Sequence, residues 1–92
     1  MYLILTEDKN RPDLERICGE YFRGFTIIPG TGVWSSLNGQ GETTLGREDS
    51  VTILVHSVEY DKEVKPCAYA IKQFNQQERV DIINLKSKVH WI

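Results

Sequence analysis

Two short apolar runs, Tyr2 to Thr6 (YLILT) and Ser50 to Val58 (SVTILVHSV), constrain this 92-residue chain more than any other feature. Each is rich in aliphatic and β-branched residues and is too short for a buried helix. Both therefore read as strands of a sheet interior. Around them the periodicity changes. Asn10 is placed to cap a helix, with Pro12 in the first turn and Asp13 three residues beyond the cap. Leu14, Ile17, Cys18, Tyr21 and Phe22 follow the spacing of one helical face, and Gly24 is the expected stop. Phe25 to Trp34 is strand-like. Ser35 to Asp49 has no periodicity and many turn formers, which predicts a loop. Val64, Cys67, Ala68, Ile71 and Phe74 predict a second amphipathic helix within Lys62 to Gln77. Pro66 fits it only in the first turn, so the start is expected near Glu63 or Val64. Arg79 to Trp91 reads as a last strand.

The resulting order, βαββαβ, predicts an α+β, ferredoxin-like domain over residues 1–92. In that plan a four-stranded antiparallel sheet runs 4-1-3-2, with both helices on one face. The two most apolar strands take the centre. Pro29 in strand two fits an edge, where a missing N–H is tolerated. The pleat assigns faces. Phe25, Ile27 and Val33 are expected to face the helices, as are Leu3 and Leu5, with Tyr2 and Ile4 facing away. In strand three, Val51, Ile53 and Val55 oppose Thr52, Leu54, His56 and Val58. The helix-free face would then carry Ile4, Ile28, Leu54 and Val58, an apolar patch suited to a second copy of the chain.

Composition narrows the function classes. Hydrophobic residues make up 40% and charged residues 26%, the balance of a globular chain. A formal charge of −2 argues against polymeric nucleic acid and membrane surfaces as partners, since both call for a basic excess. The opening MYLIL is followed at once by Glu7 and Asp8, unlike a secretory signal, so a cytoplasmic setting is expected. Cys18 and Cys67 then read as reduced core thiols, and without a CxxC no zinc or other metal site is expected.

Chemistry concentrates in the glycine-rich middle. Gly30, Thr31 and Gly32 let a ligand or another backbone approach, because no Cβ intrudes at the glycines. Trp34 shares their face and offers a ring on which a base can stack. Thr43, Thr44 and Ser50 supply hydroxyls, Arg47 suits a phosphate, and Glu48 suits a base edge or ribose. This set fits a nucleotide; it equally fits a hairpin whose tryptophan packs in an oligomer interface. No Rossmann or phosphate-loop signature surrounds the Gly-x-Gly. His56 reads as structural, since general acid–base work needs a positioned partner. Glu59 to Glu63 (EYDKE) reads as a solvated helix start, and Lys86 and Lys88 as guards of an edge strand.

YFRGFTIIPGTGVWSS followed by REDSVTILV, within Tyr21 to Val55, resembles the fourth family of phage anti-CBASS proteins, which are cyclic-dinucleotide sponges. The resemblance implies a ferredoxin-like homo-oligomer, a tetramer, that binds a messenger of the cyclic GMP–AMP type in the host bacterial cytoplasm without cleaving it. No cofactor is implied. Trp34, Glu48 and Ser50 are the matched ligand positions, and SLNGQGETTLG between them departs from the family's shorter loops. Two other functions fit the residues alone. One is a small oligomeric enzyme with His56 as acid–base group; the other is an interaction module that docks host proteins on the open sheet face.

Overall fold

The computed structural model describes residues 1–56 and 61–85. The chain forms β1 (Tyr2–Glu7), α1 (Arg11–Tyr21), β2 (Thr26–Leu37), β3 (Thr43–Val55), α2 (Asp61–Asn75) and β4 (Asp81–Asn84). The four strands make one antiparallel sheet in the order β2-β3-β1-β4, which from the other edge reads β4-β1-β3-β2. The apolar strands β1 and β3 are central, and Pro29 lies in the edge strand β2. Among the described residues no helix is long and apolar enough to cross a membrane.

The first helix starts as its residues dictate. The Asn10 side chain accepts from the Asp13 amide at 3.3 Å, with Pro12 in the first turn. It ends earlier than Gly24 suggests. Phe22 turns to extended backbone (φ −127°, ψ 139°) while its amide still donates to the Cys18 carbonyl. Burying the Phe22 ring, only 2% exposed, ends the helix in place of a glycine cap. The second helix starts at Asp61, so Pro66 lies inside it rather than in the first turn. Pro66 has no N–H for the Lys62 carbonyl, and the packing of Val64, Cys67, Ala68 and Ile71 in the core holds the helix through that gap.

One core lies between the helices and a single sheet face. It joins Leu14, Ile17, Cys18 and Phe22 of the α1 region, Val64, Cys67, Ala68 and Ile71 of α2, and Ile4, Val51, Ile53 and Val55 of the sheet. The expected faces of β1 are inverted. Ile4 pairs with Ile53 and Thr6 with Val51, so Tyr2, Ile4 and Thr6 face the helices, while Leu3 and Leu5 lie on the open face. The cause is that YLIL is apolar at every position and carries no parity of its own; the register with β3 decides it. The open face holds Ile28 and Leu54 as expected, with Leu3 in the place given to Ile4. Val58 lies outside the described residues.

Cys18 and Cys67 are free, fully buried thiols that meet between the helices. Their mutual hydrogen bond, together with burial, pushes the Cys67 thiol far up.

The largest departure is in the middle of the chain. Ser35 to Asp49 is no loop: β2 continues to Leu37, β3 begins at Thr43, and only residues 38–42 connect them. The side chain of Asn38 accepts from the amides of Gln40 and Glu42, both at 2.9 Å, and Gly41 takes a positive φ of 79°. This turn chemistry closes a long hairpin. Since β1 pairs with β3 only from Ser50 to Val55, the half of the hairpin nearer the turn projects as a two-stranded ribbon. The last strand is shorter than expected. Residues 86–92, with Lys86, Lys88 and His90, lie outside the described residues, as do residues 57–60 of the EYDKE region and its approach.

Candidate functional site

Where the ribbon leaves the sheet, a cleft of about 990 Å³ opens between β1, the hairpin and the α2–β4 connection. The hairpin register places its walls. Gly30 pairs with Ser50, Gly32 with Glu48 and Trp34 with Gly46, all on the open face. Gly32, Trp34, Glu48 and Ser50 line the cleft. Thr31, Thr43 and Arg47 alternate to the opposite face, and Gly30 lies beyond the lining. Thr44 is on the open face nearer the turn, where its hydroxyl meets that of Ser36 at 2.9 Å. Trp34 and Arg47 therefore point to opposite sides of the hairpin.

The glycines are seats for side chains across the hairpin. A Cβ on Gly46 would overlap Cε2 and Cζ2 of Trp34. The indole thus lies over Gly46 and is still half exposed. A Cβ on Gly32 would stand 3.3 Å from Cγ of Glu48, so the Glu48 side chain takes the room that the missing Cβ leaves. The space that Gly-x-Gly seemed to reserve for a ligand is filled by Glu48. A Cβ on Gly30 would meet nothing closer than the Ser50 hydroxyl oxygen at 3.8 Å, an ordinary contact.

Sequence reasoning missed the opposite wall. It is built by Glu7 of β1 and by Gln76, Gln77, Arg79 and Asp81 after α2. The backbone there is fixed by an uncommon cap. Gln76 has a positive φ of 55°, its amide donates to Gln73 O at 3.2 Å, and the Gln77 amide donates to Lys72 O at 3.0 Å. This is a Schellman motif with glutamine where glycine is usual. Buried Asn75 then donates to the Glu7 carbonyl at 3.2 Å and to Gln77 Oε1 at 2.8 Å, and the Thr6 hydroxyl also bonds Gln77 Oε1. A polar network of side chains thereby ties the end of α2 to β1 at the floor of the cleft.

Acidic groups dominate the cleft. Glu48 is held above the ordinary carboxyl range, first by lost solvation, then by the charge of Glu7 and a hydrogen bond with it; Lys9 acts in the opposite direction. Lys9 Nζ lies 3.2 Å from Glu7 Oε2 and donates to Asn75 O at 2.8 Å. Arg79 is turned onto Asp81, with Nε to Oδ1 at 2.6 Å and Nη2 to Oδ2 at 3.2 Å. The cleft therefore offers an exposed indole, two neighbouring carboxyls, amide groups and one paired guanidinium. These can stack a flat ring and hydrogen-bond its edge. His56 is exposed just beyond β3 and is not in the lining. Among the described residues no group of three or more His, Cys, Asp or Glu is arranged to hold a metal ion. Comparison with protein-family models, curated proteins and solved structures finds no match to this chain.

Proposed function

We propose that this chain is a ferredoxin-like binding protein that takes up a nucleobase-bearing small molecule in the cleft beside Trp34 and holds it without cleavage. The carrying observation is the placement of Trp34: a half-exposed indole seated over Gly46, opening onto a cleft of about 990 Å³ lined by carboxyls and amides. Such a volume suits ligand binding at the larger end of the usual range. The strand order read from the β4 edge supports the fold assignment. The ligand class implied by the resemblance is a cyclic dinucleotide of the cyclic GMP–AMP type, held by a homo-oligomer in a bacterial cytoplasm as an immune-evasion sponge. Glu48 and Glu7 would meet the edge of a base, since carboxylate oxygens accept hydrogen bonds from its amino and imino groups. A phosphate would need a cation: Arg79 lines the cleft but is turned onto Asp81, and Arg47 lies on the other face of its own ribbon, from which it would reach the cleft only of a second copy.

The test is a thermal-shift screen of the purified chain against linear and cyclic nucleotides. A ligand at about 100 times its Kd raises stability by about 2.7 kcal/mol. Release of the intact ligand on denaturation is the expected outcome. A screen without any shift removes the ligand reading; recovery of a hydrolysed product removes the sponge reading and leaves an enzyme. One observation bears on that second reading: lost solvation and the neighbouring Glu7 raise the Glu48 carboxyl from its ordinary value, the direction that general-acid work needs.

A further inference from the structure

We infer that the base taken up beside Trp34 is guanine, its ring stacked on the indole and its N1–H and 2-amino group donating to the carboxylate of Glu48. The inference rests on the ligand reading above and names the base. On the open face Trp34 and Gly46 form one cross-strand row, and Gly32 and Glu48 form the next. Successive rows on one face are two residues apart along the strand, about 7 Å. The indole leans across onto Gly46, and the Glu48 side chain leans the other way onto Gly32, with Oε1 3.5 Å from where a Cβ would stand. The two glycines thus set a half-exposed aromatic ring and a carboxylate on neighbouring rows of one cleft. A purine stacked on the indole spans the interval between rows and brings its edge to Glu48.

The chemistry of that edge selects the base. An ionised carboxylate only accepts hydrogen bonds, and its two oxygens match a parallel pair of N–H groups. Guanine carries two adjacent donors on its Watson–Crick edge. Adenine and cytosine set an acceptor nitrogen beside their amino group, and uracil flanks its one N–H with carbonyl oxygens. Each of these turns a lone pair toward the carboxylate. Glu48 is open to the contact: among the described residues no ion pair engages it, whereas Glu7, one row further along the face, is held by Lys9 at 3.2 Å. Arg79, the guanidinium of the cleft, is spent on Asp81. Lost solvation and the charge of Glu7 work against the ionised form of Glu48, and the N–H pair of guanine supplies the donors that this form lacks.

Calorimetric titration of the full chain tests this with probes that differ only in the base: cyclic di-GMP against cyclic di-AMP, and guanosine against adenosine and inosine. The guanine member of each pair is expected to bind at least about fivefold more tightly, the lower end of what one bidentate base contact discriminates. Inosine lacks the 2-amino group, so a guanosine preference over it reads the contact without altering the protein. Glu48→Gln is expected to erase the preference for cyclic di-GMP over cyclic di-AMP. Trp34→Ala is expected to weaken both alike, since every base has a face to stack. Equal or tighter binding of the adenine probes, inosine equal to guanosine, or a preference that survives Glu48→Gln overturns the guanine assignment and leaves the nucleobase reading standing. Failure of every probe to bind overturns both. Should Glu48→Gln misfold, the inosine comparison on the wild type decides.

Discussion

The indole of Trp34 occupies the space that a Cβ on Gly46 would need. The two residues are directly opposed across the hairpin, so the ring covers a bare stretch of backbone on the neighbouring strand. This relationship converts a glycine that would weaken a strand into the seat that orients the aromatic side chain.

Gly46→Ala is therefore expected to push the indole off the ribbon. The pair stabilises the hairpin by roughly 0.2–1 kcal/mol, the range of cross-strand aromatic pairs. Urea unfolding should show a loss of that size, and tryptophan emission should shift to the red. The emission shift should vanish in a Trp34→Ala background, which separates Trp34 from Trp91.

Glu48→Gln is expected to raise the melting temperature near neutral pH. The folded-state carboxyl titrates above the ordinary glutamate value of about 4.3. A group raised in this way contributes stability that is complete below the ordinary value and is lost as pH rises through the folded one. The wild type thus bears an unfavourable charge beside Glu7 at neutral pH and is relieved of it in acid. Melting curves should converge for wild type and variant as pH falls; a gap that widens in acid contradicts the raised Glu48 carboxyl.

Gln76→Gly should stabilise the chain. The left-handed conformation costs a non-glycine residue about 1–2 kcal/mol, and glycine returns part of that gain through the entropy of the unfolded chain. A net increase of roughly 0.5–1 kcal/mol by denaturant titration is expected. If Gln76 is strained for function, the same variant loses affinity for the cleft ligand.

Asn75→Ala should be costly. Asn75 is 6% exposed, and its amide nitrogen serves the Glu7 carbonyl, Gln77 and, at 3.4 Å, Thr6. Removing it takes the side-chain donor from the part-buried Glu7 carbonyl and one of two donors from Gln77 Oε1, which costs roughly 1–3 kcal/mol. Hydrogen exchange should locate the loosening at the end of α2 and at Glu7. Protection unchanged at both places would show that the network does not bind them.

The sequence by itself determined the element types and their order. Asn10 and Pro12 start α1, helical spacing marks the buried faces of both helices except at Phe74, which is exposed while Asn75 takes the buried place, and the apolar density of YLIL and VTILV puts β1 and β3 at the centre of the sheet. These are local or compositional signals, legible without a partner strand. It also singled out Gly32, Trp34, Glu48 and Ser50, which line one cleft. Tertiary structure decided what depends on pairing. A uniformly apolar strand has no parity, so only the register with Ile53 could send Ile4 inward. SSLNGQGETTLG is polar and glycine-rich because its ribbon has no helix to cover it. A polar exposed hairpin and a loop have the same composition, and only the turn bonds at Asn38 tell them apart. Glu7, Gln77 and Arg79 reach the cleft from distant parts of the chain, and no spacing in the sequence could have brought them beside Trp34.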